Sequence, residues 1–338
     1  MGFDKNQQIR MKHITLPDNI DRPLEFYLAM EEFVAREIDE DSAFFLWQTA
    51  PTVVCGRNQL IQSEVNVDYC HERGIRIVRR KSGGGCVYSD RGNIMLSCVE
   101  KGENVGFMFD RYLRRLALEL RRMGIDAQTS GRNDILVEGK KVSGNAFYKI
   151  PNGKCVMHGT LLFDSDFDML RQAITPSEAK LRSHGVASVR QRVANLKEFF
   201  PSGIEVFKTR LAEGLNDGGG TRVLTAAELG RIEEIAQTYA DVRFVEGSNP
   251  AYAVEQEQAV EGVGSVRVCL KMRHGLVREV HLAGDFFMLK SPDAELSRRL
   301  RGKKPEEAAA ALQGMDVPEY IANLTAMQLA DIIKNCNA

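Results

Sequence analysis

The chain is 338 residues long, 43% hydrophobic and 27% charged, with a formal net charge of −1. That length suits about two globular domains, and the composition is neither that of a disordered nor that of a fibrous chain. Near-neutrality argues against a broad nucleic-acid-binding surface, so any anion site must be local. No apolar run approaches the roughly 20 residues that span a bilayer. The polar amino terminus carries no apolar signal region, and the seven cysteines lie singly, without metal-finger or Cys-x-x-Cys spacing. They read as reduced thiols in a cytoplasmic protein.

In chain order, Leu24 to Ile38 carries apolar residues at helical spacing after Asp21 and Pro23. Ala43 to Trp47 and Thr52 to Gly56 read as strands parted by Ala50-Pro51. Ile75 to Arg80 is another strand, and Cys86 to Ser89 and Asn93 to Val99 read as a pair joined through Asp90-Arg91-Gly92. Phe107 to Met123 is a long amphipathic helix whose arginines read as a solvated face beside acidic surface rather than a nucleic-acid stripe. Strands follow at Asp134 to Val137, Lys141 to Tyr148 and Cys155 to Phe163, with turns at Glu138-Gly139-Lys140 and Pro151-Asn152-Gly153. Helices are expected over Asp166 to Ile174, Ile204 to Leu215 and Leu224 to Tyr239. The glycine run of Asn216 to Thr221 reads as a flexible loop, not a second phosphate loop. Residues 247–251 read as a linker, which divides the chain into domains 1–246 and 252–338. The second is a small α+β unit with a hairpin, Ser265 to Met272 and Val277 to Ala283, around His274-Gly275. Helices near Ala294 to Leu300, Pro305 to Leu312 and Ala326 to Ile333 complete it.

Chemistry concentrates in Arg79-Arg80-Lys81-Ser82-Gly83-Gly84-Gly85-Cys86. Three cations and three glycines at the end of a strand suit a loop whose backbone approaches an anion closely. A glycine run alone more often marks a turn. It is not a Walker loop, which ends in Gly-Lys-Ser/Thr, nor a dinucleotide fingerprint, which opens a helix. Phosphate would be met here by backbone amides and arginine. A second feature is Gly131-Arg132-Asn133-Asp134, followed by Lys140-Lys141-Val142-Ser143-Gly144-Asn145-Ala146. A lysine at the mouth of a sheet can contact a carboxylate and a phosphate together, although each lysine taken alone is an ordinary turn residue. The third is His158-Gly159-Thr160, where a lone histidine is usually structural.

In order and spacing these segments, with Asp90, Gly92-Asn93 and Ser188 to Leu196, resemble the lipoate–protein ligase A family over about the first 250 residues. The final domain resembles the accessory domain of full-length bacterial members. The resemblance implies an α+β fold of the class II aminoacyl-tRNA synthetase and biotin ligase type, a mixed sheet flanked by helices, with a small α+β domain after it. It implies two half-reactions: lipoate and ATP, with Mg2+, give lipoyl-AMP, and a lysine of a carrier protein then takes the lipoyl group. Lys141 matches the signature lysine. Arg80, Ser82, Gly83, Gly84, Gly85 and Cys86 would border the activated carboxyl and phosphate. Asn93, Asn133, Asp134, Gly144, His158, Gly159 and Thr160 fall on the remaining motif positions, with Asp134 the metal contact. The implied partners are lipoyl domains of 2-oxoacid dehydrogenase E2 subunits and the glycine-cleavage H protein, with no nucleic acid and no membrane, and the protein a monomer.

The chain departs from the family pattern at Ser89, where many members have histidine, at Tyr148, where some have arginine, and in the linker, which lacks tryptophan. Three rival readings stay open. One is transfer of octanoyl or lipoyl groups between carriers through a Cys86 thioester without ATP. The others are biotin ligation and a non-catalytic lipoate-binding homologue.

Overall fold

A computed structural model describes residues 10–151, 153–174, 192–247 and 254–336. Through the catalytic-type region the elements are β1 (Lys12–Thr15), α1 (Leu24–Glu37), β2 (Ser42–Trp47), β3 (Thr52–Cys55), α2 (Ile61–Glu64), α3 (Val67–Glu72), β4 (Arg76–Arg79), β5 (Val87–Ser89), β6 (Asn93–Lys101) and α4 (Val105–Arg122). There follow β7 (Ala127–Thr129), β8 (Asp134–Val137), β9 (Lys140–Lys149), β10 (Lys154–Leu162), α5 (Phe167–Ala173), α6 (Ile204–Asn216), β11 (Thr221–Val223), α7 (Ala226–Ala240) and α8 (Val242–Glu246). The last stretch holds β12 (Val254–Val260), β13 (Gly264–Arg273), β14 (Leu276–Gly284), α9 (Asp293–Leu300), α10 (Ala308–Ala311) and α11 (Ala326–Lys334). Among the described residues no helix is long and apolar enough to cross a membrane.

The described chain forms two compact units. One gathers residues 10–52, Ser89–Phe167 and 192–240; the other gathers Val53–Tyr88, 168–174, 241–247 and 254–336. The first is built on an eight-stranded mixed sheet in the order β11-β1-β2-β6-β10-β9-β8-β7. Its centre, β6, is buried at every residue from Asn93 to Glu100, so both faces of the sheet must be covered. Strand alternation divides the coverage. Ser97 and its cross-strand partner His158 face α1, whereas Asn145 and Phe147, on the opposite face, meet Tyr112 and Phe109 of α4. The helix α1 is buried from Leu24 to Ala35, because it lies between the sheet and α7. The arginines of α4 are bound at home: Arg111 pairs with Glu100 and Arg114 with Asp110, and Arg121 donates to the Ala127 carbonyl.

The second unit contains the three-stranded sheet β4-β3-β5 and the antiparallel sheet β12-β13-β14. The first packs Val53, Cys55, Ile75 and Tyr88 with Cys70 of α3 and Ala173 of α5. The second buries Val266, Val268, Leu270 and Leu282 beneath Leu296 of α9 and Ile332 of α11.

Three expectations change. Cys86 to Ser89 and Asn93 to Val99 do not form a hairpin, since β5 pairs within the small sheet and β6 lies between β2 and β10 in the large one. Asp90 instead turns the chain, accepting from the amides of Gly92 and Asp166. The run at Asn216 to Thr221 is a packed turn: Asn216 Nδ2 donates to the Met11 and Gly220 carbonyls, and a Cβ on Gly219 would lie 2.2 Å from the Met11 oxygen. The helix expected over Pro305 to Leu312 divides into a 3-10 turn, Pro305–Glu307, and α10. Of the expected linker, residues 248–251 lie outside the described residues, as do Ser188 to Gln191 of the family motif. Gly230, by contrast, is an exposed helical residue with open space around its missing side chain. Gly230→Ala should therefore raise stability by about 0.4–1 kcal/mol, measured by denaturant unfolding.

Candidate active site

In the first unit the motif residues converge on three neighbouring strands. Asp134 on β8 stands opposite Gly144 on β9, which stands opposite Thr160 on β10. The β8–β9 register then slips between Ile135 and Leu136, so that Leu136 pairs with Lys141 and Val142 is the extra residue of a bulge. A bulge re-aims the side chains beside it. Here it brings Lys141 Nζ to 2.8 Å from Asp134 Oδ1. A Cβ on Gly144 would lie 2.7 Å from that Nζ, so the glycine is the space in which the ammonium sits. The main chain of Lys141 is fixed from the other side, its carbonyl accepting from the Ala194 amide.

The two side chains of this ion pair are 38% and 28% exposed, so the pair contributes at most about 1 kcal/mol to stability. Gly144→Ala should cost little stability, because the clash falls on the far end of a flexible side chain. It should nevertheless displace the ammonium and slow the adenylate formation that the resemblance implies by roughly tenfold or more, a 1.4 kcal/mol effect on the barrier. Thermal unfolding and pyrophosphate exchange, run on one preparation, read the two effects separately.

Asn133 and Asn145 brace this cluster reciprocally, each Nδ2 donating to the other's carbonyl at 2.9 Å, while Tyr112 donates to Asn145 Oδ1. A Cβ on Gly159 would lie 1.9 Å from Asn145 Oδ1, which explains a glycine in the middle of β10. His158 lies beneath the strand surface, its Nδ1 2.9 Å from both oxygens of Glu31, a residue with no exposed surface. Ser97 also donates to Glu31, and Trp47 donates to Ser97. Asn93 is buried at the start of β6, its amide bonded to the Asp90 carbonyl. The departures at Ser89 and Tyr148 are both internal: the Ser89 hydroxyl is 3.5 Å from Met95 Sδ, and the Tyr148 ring packs beside His158.

In the second unit, Arg80 to Cys86 form a braced loop. Arg80 Nε donates to Ser82 Oγ, Nη1 to the Val54 carbonyl, and Nη2 to the carbonyls of Gly83 and Gly85. Arg79 spans the carbonyls of Gly56, Arg57 and Gln59 on one side and Val245 and Glu246 on the other. Burial pulls its pKa below the usual arginine value. Gly84 has φ +89°, a conformation few other residues adopt, and its amide donates to the Phe286 carbonyl. A Cβ on Gly56 would stand 2.0 Å from the Gly84 oxygen. The loop therefore presents a tightly packed backbone with its arginines turned inward as struts.

Thus Lys141, Asp134, Gly144, Thr160, Asn133, Gly159, Asn93 and His158 belong to the first unit, and Arg80, Ser82, Gly83, Gly84, Gly85 and Cys86 to the second. Sequence reasoning missed Glu31, Asn145 and Gly56. Glu31 carried a signal, a charge on the stripe Leu24, Leu28, Ala35 that otherwise faces the core. The Cys55 thiol, 3.4 Å from Cys86 Sγ, carried none.

The profile of the lipoyl protein ligase A/B catalytic domain matches residues 23–216, and that of the bacterial lipoate protein ligase C-terminus matches residues 249–333. The chain is similar to the lipoate-protein ligase LplJ of Bacillus subtilis, with 33% identity covering 90% of this chain and 95% of that protein. Its fold resembles that of LipL1 of P. falciparum, solved with lipoate, at a TM-score of 0.75 with 17% identity, covering 96% and 98% of the two chains. It also resembles the bipartite lipoate protein ligase of Thermoplasma acidophilum, solved in a study of that ligase and its E2 lipoyl domain; the TM-score is 0.63, with 25% identity over 73% of this chain and 100% of that one. With both profiles in sequence order on one chain, the protein belongs to the lipoyl protein ligase A/B family, in the form that carries the bacterial C-terminal domain.

Proposed function

We propose that the protein activates lipoate with ATP and transfers the lipoyl group to a lysine of a carrier protein. The observation that carries this reading is the poised Lys141 ammonium beside Asp134, in a chain of this family. In the first step a lipoate carboxylate oxygen bonds to the α-phosphorus as the bond to the β-phosphate oxygen breaks, releasing pyrophosphate. In the second the carrier's ε-amine attacks the acyl carbonyl, AMP leaves, and the amine proton passes to solvent. Charge develops on phosphoryl oxygens in the first step and on the acyl oxygen in the second. A fixed cation serves both.

Lys141 is assigned that role. The loop of Gly83 to Cys86 lines the phosphate and carboxyl with the amides of Gly83, Gly85 and Cys86, that of Gly84 being taken by the Phe286 carbonyl, and Arg80 and Ser82 shape the loop that presents them. Gly144, Gly159, Thr160, Asn133 and Asn93 keep the β8–β10 surface in register, and His158 acts through its buried pairing with Glu31. Among the described residues no three His, Cys, Asp or Glu side chains form a metal cluster. Mg2+ would come with the triphosphate, and Asp134 is the residue that would offer it an oxygen. The carrier is a lipoyl domain of an E2 subunit or an H protein, the catalytic and accessory domains are 1–246 and 252–338, and the enzyme works as a cytoplasmic monomer.

Transfer through a Cys86 thioester is disfavoured. Its hydrogen bond with Cys55 and its burial push the Cys86 thiol well above its ordinary pKa, which leaves little thiolate to attack an acyl donor. The test is the intact mass of a purified E2 lipoyl domain after incubation with the protein, lipoate, Mg2+ and ATP. One lipoyl group should be added, and only when ATP is present. ATP-independent acylation from an octanoylated carrier would sink the ligase reading in favour of the transferase.

A further inference from the structure

We propose that Cys55 and Cys86 are a site of reversible oxidative modification, closing to a disulfide that locks the glycine loop. Cys55 ends β3 with no exposed surface, and Cys86 follows the glycine triplet, partly exposed, at the start of the neighbouring strand β5. Their sulfurs are 3.4 Å apart as free thiols. A disulfide needs about 2.05 Å, so the sulfurs must close by roughly 1.4 Å, within reach of side-chain rotation. The main chain between them is already taut. Arg80 N donates to the Cys55 carbonyl, Arg57 N to the Ser82 carbonyl, and Gly56 has no room for a side chain against Gly84.

The two thiols are unequal. The hydrogen bond from Cys86 and the nearby charges of Arg79 and Arg80 lower the pKa of Cys55, while Cys86 is raised and keeps the shared proton. The other five cysteines are buried, and burial, the largest cause, pushes Cys155 and Cys269 up to about 12 and Cys336 to about 11. They are inert by comparison.

A hydroperoxide supplies the oxidising equivalents. The Cys55 thiol, whose ionisation its neighbours favour, attacks hydrogen peroxide with its sulfur; the O–O bond breaks, the departing hydroxide takes the Cys55 proton and leaves as water, and Cys55 becomes a sulfenic acid. Cys86 then attacks the Cys55 sulfur, its thiol proton going to the departing hydroxyl. The S–S bond forms, the S–O bond breaks, and a second water leaves. In sum two thiols and one peroxide give one disulfide and two waters. A dithiol reverses the step by exchange. Strapped to β3, the loop can no longer shift its amides around an incoming carboxylate and phosphate. That consequence rests on the ligase reading; the chemistry of the pair does not.

The test treats the full-length protein with hydrogen peroxide and reads two quantities. Non-reducing peptide mapping should find a Cys55–Cys86 cross-linked peptide that disappears with dithiothreitol. Lipoate-dependent pyrophosphate exchange should fall at least tenfold with the cross-link and recover when it is reduced. Cys55→Ser should match reduced wild type in exchange but form no cross-link, and Cys55→Ala repeats the experiment should the serine destabilise the core. Oxidation of Cys86 to sulfinic acid with no cross-link in wild type would overturn the site. A cross-link that leaves exchange unchanged would overturn the lock. If reduced wild type shows no exchange, the ligase reading fails, and the disulfide is decided by the peptide map alone.

Discussion

Lys141→Ala is expected to reduce lipoate-dependent pyrophosphate exchange by a hundredfold to a thousandfold. Removing one preorganised donor to a developing oxyanion costs about 2.7–4 kcal/mol. Lys141 is proposed as such a donor, held at 2.8 Å from Asp134 in a space that a glycine at position 144 leaves open. The fold should survive. An ion pair this exposed contributes at most about 1 kcal/mol, which moves the unfolding midpoint by only about 2–4 °C in a chain of this kind. Lys141→Arg should fare nearly as badly, because a planar guanidinium is wider than the compact ammonium it replaces. Exchange rates beside thermal unfolding decide it: near-normal adenylate yield from Lys141→Ala would remove the residue from the mechanism.

Gly56→Ala should damage both stability and activity. Its Cβ would meet the Gly84 carbonyl oxygen at 2.0 Å and the Gly84 carbonyl carbon at 3.1 Å, both backbone atoms that no rotamer can move aside. Relief must come from shifting β3 or the glycine loop. Overpacking of this kind costs about 1–3 kcal/mol. Because Arg80 ties that loop to Val54, Gly83 and Gly85, the shift should spread through the amides proposed to receive the phosphate. Exchange is expected to fall more than tenfold and denaturant stability to drop together, with Gly230→Ala, which should leave exchange unchanged and not lower stability, as the control. An unchanged exchange rate in Gly56→Ala would mean that the loop's shape is immaterial to the reaction.

Much of this was legible in the chain, and the exceptions share a cause. Periodicity and turn chemistry located α1, α4 and the β13–β14 hairpin, whose turn places His274 at φ 53° and Gly275 at φ 72°. They failed where partner choice is long-range. Cys86 to Ser89 and Asn93 to Val99 alternate and flank a turn, yet β6 pairs with Leu162 at its first residue and β5 pairs in another sheet. Short β1 and β11, which pair in parallel with each other, carry too few residues for a period to show.

At the site, motif order identified the residues but not what they touch. Lys141 and Asp134 meet because one residue is inserted into β9, a register event that no local pattern announces. The arginine pair suggested ligand contacts, whereas Arg79 and Arg80 spend their donors on carbonyls of the loop and its neighbours. Carbonyl orientation belongs to the folded backbone, and side-chain identity does not encode it.

The central claim, that this chain makes an acyl-adenylate from lipoate, is tested most directly by isotope exchange between pyrophosphate and ATP. The purified protein is supplied in turn with lipoate, octanoate, biotin and no acid, with Mg2+ present. Exchange that depends on lipoate and is absent with biotin is the result expected. Exchange with none of the acids, from protein shown to be folded, would contradict it.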